Sequence, residues 1–166
     1  MAWGGFAIAL LLVYLLQTGV AAPLAVPYFD AFLVLALLCG LLAPTHDARI
    51  AAWIVGLTQD LGSADALGIH AFTLGLSGLL LTHLRGIGNV GVWWVRGLAA
   101  FLAAWPGQII YLLHLHYWAG PGSATLWNLI VDATLTSLVA AALAMLIHGL
   151  PWVLRRRRRR YRTLRI

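Results

Sequence analysis

Five aspartates and six histidines carry nearly all the acid–base chemistry that this 166-residue sequence offers, since it has no Glu and no Lys. Asp60 and Asp65 flank one short segment, Gly56-Leu-Thr-Gln-Asp60-Leu-Gly-Ser-Ala-Asp65-Ala-Leu-Gly68-Ile-His70. Asp65 precedes an apolar run, where a carboxylate can accept backbone N–H bonds and cap the helix that follows. Asp60 lies one turn after Gly56 at the C-terminal end of a helix, where a carboxylate meets the unfavourable end of the helix dipole. Its expected role is therefore to cap the next helix or to pair with His70, with partner binding or a proton relay as the alternative. Asn128 and Asp132 stand four apart and share a helix face, with Thr125 and Ser137 close to it. They read as a polar seam pointing into a bundle and bonding between helices; a small-ligand pocket is the other reading.

Spacing argues against metal and nucleophilic chemistry. His114 and His116 are two apart, about 200° around a helix, so they do not face one ion together. His46, His83 and His148 fall near helix ends, and the single cysteine, Cys39, sits among apolar neighbours as a buried thiol. Neither an H-E-x-x-H pair, a G-x-S-x-G elbow around Ser63, Ser77, Ser123 or Ser137, nor a nucleotide-binding loop is present. The expectation is a protein without metal, cofactor or enzymatic activity, because no acid, base and nucleophile converge.

The elements that position these residues are apolar helices. The chain is 62% hydrophobic and 10% charged, too few polar residues to cover a soluble domain. Runs long enough to approach a membrane crossing of about 20 residues occur at 3–22, 29–43, 48–61, 66–84, 90–118 and 124–154, with Pro23, Pro27 and Pro44 ending helices and Pro106 inside the fifth. The second and third are short for a full crossing. The first lacks a basic leader and an A-x-A site, so it reads as a retained helix.

Charge gives the orientation. Of 11 arginines, eight lie in the tail 155–166: Arg155, Arg156, Arg157, Arg158, Arg159, Arg160, Arg162 and Arg165. The other three, Arg49, Arg85 and Arg96, fall in or beside the 2–3 and 4–5 connections, while the 1–2, 3–4 and 5–6 connections have none. Six spans place every arginine on one side, which the positive-inside rule makes cytoplasmic, with both termini there. The fold class is thus an all-α polytopic membrane bundle of about six helices. Its arginine tail is a topological anchor and a binder of anionic lipid headgroups; tethering at a bilayer argues against nucleic acid as its partner. Small residues at four-residue spacing (Ala48–Ala52–Gly56, Ala71–Gly75, Ala133–Ser137–Ala141) mark faces for close helix packing.

The stretch Gly56–Phe72 resembles the signature of the bacterial rod shape-determining protein MreD family, a helix ending G-x-x-x-D, a short turn, then L-G-x-x-A-L. Gly56, Asp60, Leu67, Gly68 and Ala71 occupy those places, Phe72 replaces the usual leucine, and the turn Ser63-Ala-Asp65-Ala66 departs from the family's S-G-S-P-like form. Pro27-Tyr-Phe-Asp30, Leu126-Trp-Asn128 and the Pro151-Trp-Val-Leu-Arg-Arg ending are also similar. The resemblance implies a non-enzymatic subunit of the cell-elongation machinery in the bacterial inner membrane. Its partner would be MreC, and through it the RodA glycosyltransferase, the elongation transpeptidase and the MreB cytoskeleton. It also implies a fold similar to the six-helix substrate-binding subunits of energy-coupling-factor vitamin transporters. The rival reading is such a small-molecule-binding subunit, using Asp60, His70, Asn128 and Asp132 as polar contacts; few charges and no internal repeat disfavour a proton-coupled transporter.

Overall fold

Prolines and glycines punctuate the apolar runs into separate helices. In the computed structural model, residues 1–21, 23–63, 66–87, 92–119 and 125–163 are described, with side chains to 118 in the fifth helix and 149 in the sixth. Among them are six α-helices and no strand: α1 Trp3–Leu16, continued by a π-helical turn Gln17–Ala21, α2 Ala31–Leu42, α3 Thr45–Gly62, α4 Ile69–Ile87, α5 Trp93–Ala119 and α6 Leu126–Thr163. Each falls on one of the six expected segments. The proposed Asp65 cap lies outside the described residues, as do the side chains of Arg155–Arg160.

By length and composition Trp3–Ala21, Trp93–Trp118 and Leu126–Gly149 suit a membrane crossing, which is compatible with a membrane protein. On α5, Trp93 and Trp94 are exposed at one end and Tyr117 and Trp118 at the other. From Trp94 to Trp118 the helix rises about 36 Å, close to a hydrocarbon core of about 30 Å plus its interfaces, where aromatic rings gather. The outward side of α1 (Ile8, Leu11, Leu12, Leu15) is exposed and wholly apolar.

The core forms around α2, which packs against all five other helices. All its residues except Leu38 and Leu42 are buried. The small-residue faces do the packing expected of them: Ala48, Ala52 and Gly56 on α3, Ala71 and Gly75 on α4, and Ala133, Ser137 and Ala141 on α6 are all buried. A side chain on Gly78 of α4 would collide with the Cβ of Ala52. One on Gly107 of α5 would lie 2.7 Å from both the Thr73 carbonyl oxygen and Ser77 Oγ. α3, α4 and α5 are thus in backbone-close contact, which their small-residue faces permit.

Candidate functional site: the α3–α4 turn and the two polar ends

The last turn of α3 and the first of α4 are built as one unit. Gly68 has φ +99°, a left-handed conformation that favours glycine, and it immediately precedes α4. Glycine there offers no side chain to the free N–H groups of the first turn. Asp60, 3% exposed, supplies the acceptors from α3 instead. Its Oδ1 accepts the His70 backbone N–H at 2.9 Å and faces His70 Nδ1 at 3.0 Å; its Oδ2 accepts the Ala71 N–H at 2.9 Å. A carboxylate only accepts, so Nδ1 carries the proton and donates. The carboxylate at the end of α3 therefore answers to the positive end of α4, which relieves its conflict with its own helix dipole. Both expected roles of Asp60, capping and pairing with His70, are realised at once.

Gly56 makes this reach possible. A Cβ there would run into the His70 carbonyl oxygen and the Ala71 Cα, both backbone atoms that cannot step aside. The His70 ring lies against Tyr111 of α5, with centroids 4.7 Å apart, and Thr73 Oγ1 donates to the His70 carbonyl at 3.3 Å. Of the motif residues, Gly56, Asp60, His70 and Ala71 are buried and Gly68 is half-buried, while Leu67 is 77% exposed. Leu61, in the last turn of α3, is exposed as well.

Two residues at this end were not singled out as site residues from sequence. Asp30 caps α2, its Oδ1 accepting from Phe32 N at 2.9 Å and Leu33 N at 3.1 Å, and Gln59 Nε2 donates to its Oδ2 at 3.4 Å. Gln17 Oε1 accepts from Ala31 N at 3.0 Å. An Asp directly before an apolar run is the signal that finds the first. Gln17, in the π turn, has no such local mark.

The opposite end is basic. The N-terminal amine meets Asp47 Oδ2 at 2.6 Å. Arg49 Nε donates to Thr82 Oγ1 at 3.0 Å. Arg85 donates to the Gly40, Leu41 and Ala43 carbonyls at 2.9, 3.0 and 2.9 Å, finishing α2. Arg96 Nη1 approaches His148 Nε2 at 2.7 Å, joining α5 to α6.

The polar seam on α6 differs from its expected orientation. Asn128 is exposed and Asp132 half-buried. The inward stripe of α6 is Ala133, Ser137, Ala140, Ala141 and Ala144, and residue 132 stands about 100° from residue 133 around a helix. Small residues, not the amide and carboxylate, are what the close helix contact admits. The interhelical bond near this level is made elsewhere, from Trp105 Nε1 to Thr134 Oγ1 at 3.1 Å. His114 packs beside Trp118 and His116 beside Tyr117, their ring centroids 5.8 and 6.0 Å apart.

No protein-family model, curated protein or solved structure matches this chain.

Proposed function

We propose that this chain is a multi-pass protein of the bacterial inner membrane, with six spans and both termini cytoplasmic. Its role in this reading is that of an MreD-like, non-enzymatic scaffold of the cell-elongation machinery. Its partner is an MreC-like protein, and through that protein RodA, the elongation transpeptidase and MreB; the arginine tail meets anionic lipids. The observation that carries the reading is the division of labour at the α3–α4 turn. Gly56, Asp60, Gly68, His70 and Ala71 join the end of α3 to the start of α4, and Leu61 and Leu67 are left exposed beside that junction. A tightly bonded helix junction flanked by exposed apolar side chains supports docking more than chemistry. Gathering of Arg49, Arg85 and Arg96 at the other end of the bundle supports the periplasmic placement of the turn.

The small-molecule reading has less support. Asp60 and His70 are spent on each other and on the α4 backbone, and Asn128 is exposed. The test is co-expression with an MreC-like protein from the same genome and purification in mild detergent. The expected result is a complex that survives size-exclusion chromatography and is lost in Leu67→Arg, whose thermal midpoint stays at the wild-type value. Failure of the wild-type chain to retain that partner would overturn the assignment. Saturable vitamin binding by the purified chain would favour the rival.

A further inference from the structure

An open groove of about 650 Å³ runs along the outer face of α3, lined by Thr45, His46, Arg49, Ile50, Trp53 and Ile54. These residues recur at three- and four-residue spacing, so they form one stripe beside the buried Ala48–Ala52 stripe that packs on α4. The groove is polar at one end only. Arg49 and His46 are exposed at its mouth, at the basic end of the bundle, and below them the lining is Ile50, Trp53 and Ile54. Arg49 is held by one bond, from Nε to Thr82 Oγ1. Its two terminal nitrogens have no acceptor among the described residues. The neighbouring carboxylate, Asp47, is occupied by the N-terminal amine.

We propose that this groove binds one anionic phospholipid, with the phosphate on Arg49 and His46 and an acyl chain along Ile50, Trp53 and Ile54. Charge selects the headgroup, since a guanidinium fixed at Nε presents its remaining donors as a fork suited to phosphate oxygens. Length selects the chain. From Thr45 to Ile54 the helix rises about 13 Å, close to the roughly 15 Å that one leaflet contributes to a 30 Å hydrocarbon core. A basic mouth above an apolar floor of one leaflet's depth fits an amphiphile standing in that leaflet. The inference rests on the membrane placement proposed above, and not on the identity of any protein partner.

The experiment counts phosphatidylglycerol bound to the delipidated full chain in detergent by native mass spectrometry, with phosphatidylcholine as the neutral probe. The arginine tail contributes equally to every variant, so differences between variants read the groove. The wild type is expected to hold one phosphatidylglycerol more tightly than phosphatidylcholine. Arg49→Ala should weaken that site by about tenfold, or about 1.4 kcal/mol; Arg49→Lys should retain much of it. Ile50→Trp, which fills the groove without changing charge, should weaken it similarly at an unchanged thermal midpoint. Equal retention by wild type, Arg49→Ala and Ile50→Trp in a chain that resists alkaline carbonate extraction would overturn the lipid site alone. Release of the chain from membranes by carbonate would overturn the membrane reading and this site with it. A photoreactive residue at 50 that captures a protein helix in place of lipid would also overturn it.

Discussion

Asp60→Ala is the most exacting perturbation of the α3–α4 unit. The carboxylate accepts three hydrogen bonds, from His70 N, Ala71 N and His70 Nδ1, and is itself 3% exposed. Alanine removes both acceptor oxygens, and with them all three bonds, and leaves two backbone donors buried at the start of α4. An unpaired buried donor costs about 1–3 kcal/mol, and the lost charge at a helix N-terminus adds about 0.5 kcal/mol. Some relaxation of the turn offsets part of this, so a loss of about 3 kcal/mol is expected. At roughly 2–4 °C per kcal/mol for a chain of this size, the midpoint of unfolding in mild detergent should fall by about 6–12 °C. Intrinsic fluorescence reads it readily from eight tryptophans. Asp60→Asn keeps one acceptor but turns an amide donor toward the remaining N–H or the ring, and should fall by about half as much. Hydrogen exchange localises the effect: the His70 and Ala71 amides should lose protection ahead of those in α2. A midpoint within 2 °C of wild type in Asp60→Ala, with those amides still protected, would refute the cross-helix cap.

Four further outcomes follow, three from contacts within the bundle and one from the proposed topology. Gly56→Ala sets a methyl against the backbone of His70 and Ala71 and should cost about 2 kcal/mol in thermal unfolding. Gly75→Ala sets it 2.6 Å from the indole Nε1 of half-exposed Trp53, which can swing aside, so its midpoint should stay near wild type. Arg85→Met deprives three carbonyls at the end of α2 of their donor and should cost about 3 kcal/mol by the same measurement. Arg85→Lys should recover only part of that, because a point ammonium cannot match the planar fork. In intact cells an impermeant thiol reagent should label Leu67→Cys and leave Ala2→Cys unlabelled, with buried Cys39 silent; labelling of both, or of Ala2→Cys alone, would contradict the six-span topology.

The helices were legible because Pro23, Pro27, Pro44 and the glycines punctuate an otherwise apolar sequence. Their limits moved where the decisive contact came from another element. The apolar run that predicts the fourth segment starts at residue 66, yet α4 begins at Ile69, where Gly68 turns the chain with a positive φ and Asp60 accepts the Ala71 N–H from α3. α6 runs to Thr163, beyond the end of the apolar run at 154, since arginine is a good helix former whatever its surroundings. At the site, Asp60 with His70 could be read from their spacing about one turn. The inward direction of Asn128 and Asp132 could not, because a helix of alternating small and polar residues has two candidate inner faces and only the neighbours decide between them. Arg85 looked like a sign of sidedness alone. Its three bonds to α2 depend on a helix more than 40 residues away, which no local pattern encodes.

That long-range contact bears on what the polar residues of this chain are for. α2 has 12 residues and rises about 18 Å, too little for a hydrocarbon core of about 30 Å. Its unsatisfied terminal N–H and C=O groups would each cost several kcal/mol in lipid, so a helix this short is tolerable only with its ends bonded inside protein. Both ends are bonded. Gln17 and Asp30 take N–H groups at its start, Arg85 serves three carbonyls at its finish, and the other five helices enclose its length. Asp60 performs the same service for α4. Gln17, Asp30, Asp60 and Arg85 are thereby committed to ending helices within the bundle. Two apolar surfaces among the described residues lie clear of these bonds: Leu61 and Leu67 beside the α3–α4 junction at one end, and the α3 groove under Arg49 at the other. The scaffold role proposed above would draw on those two surfaces.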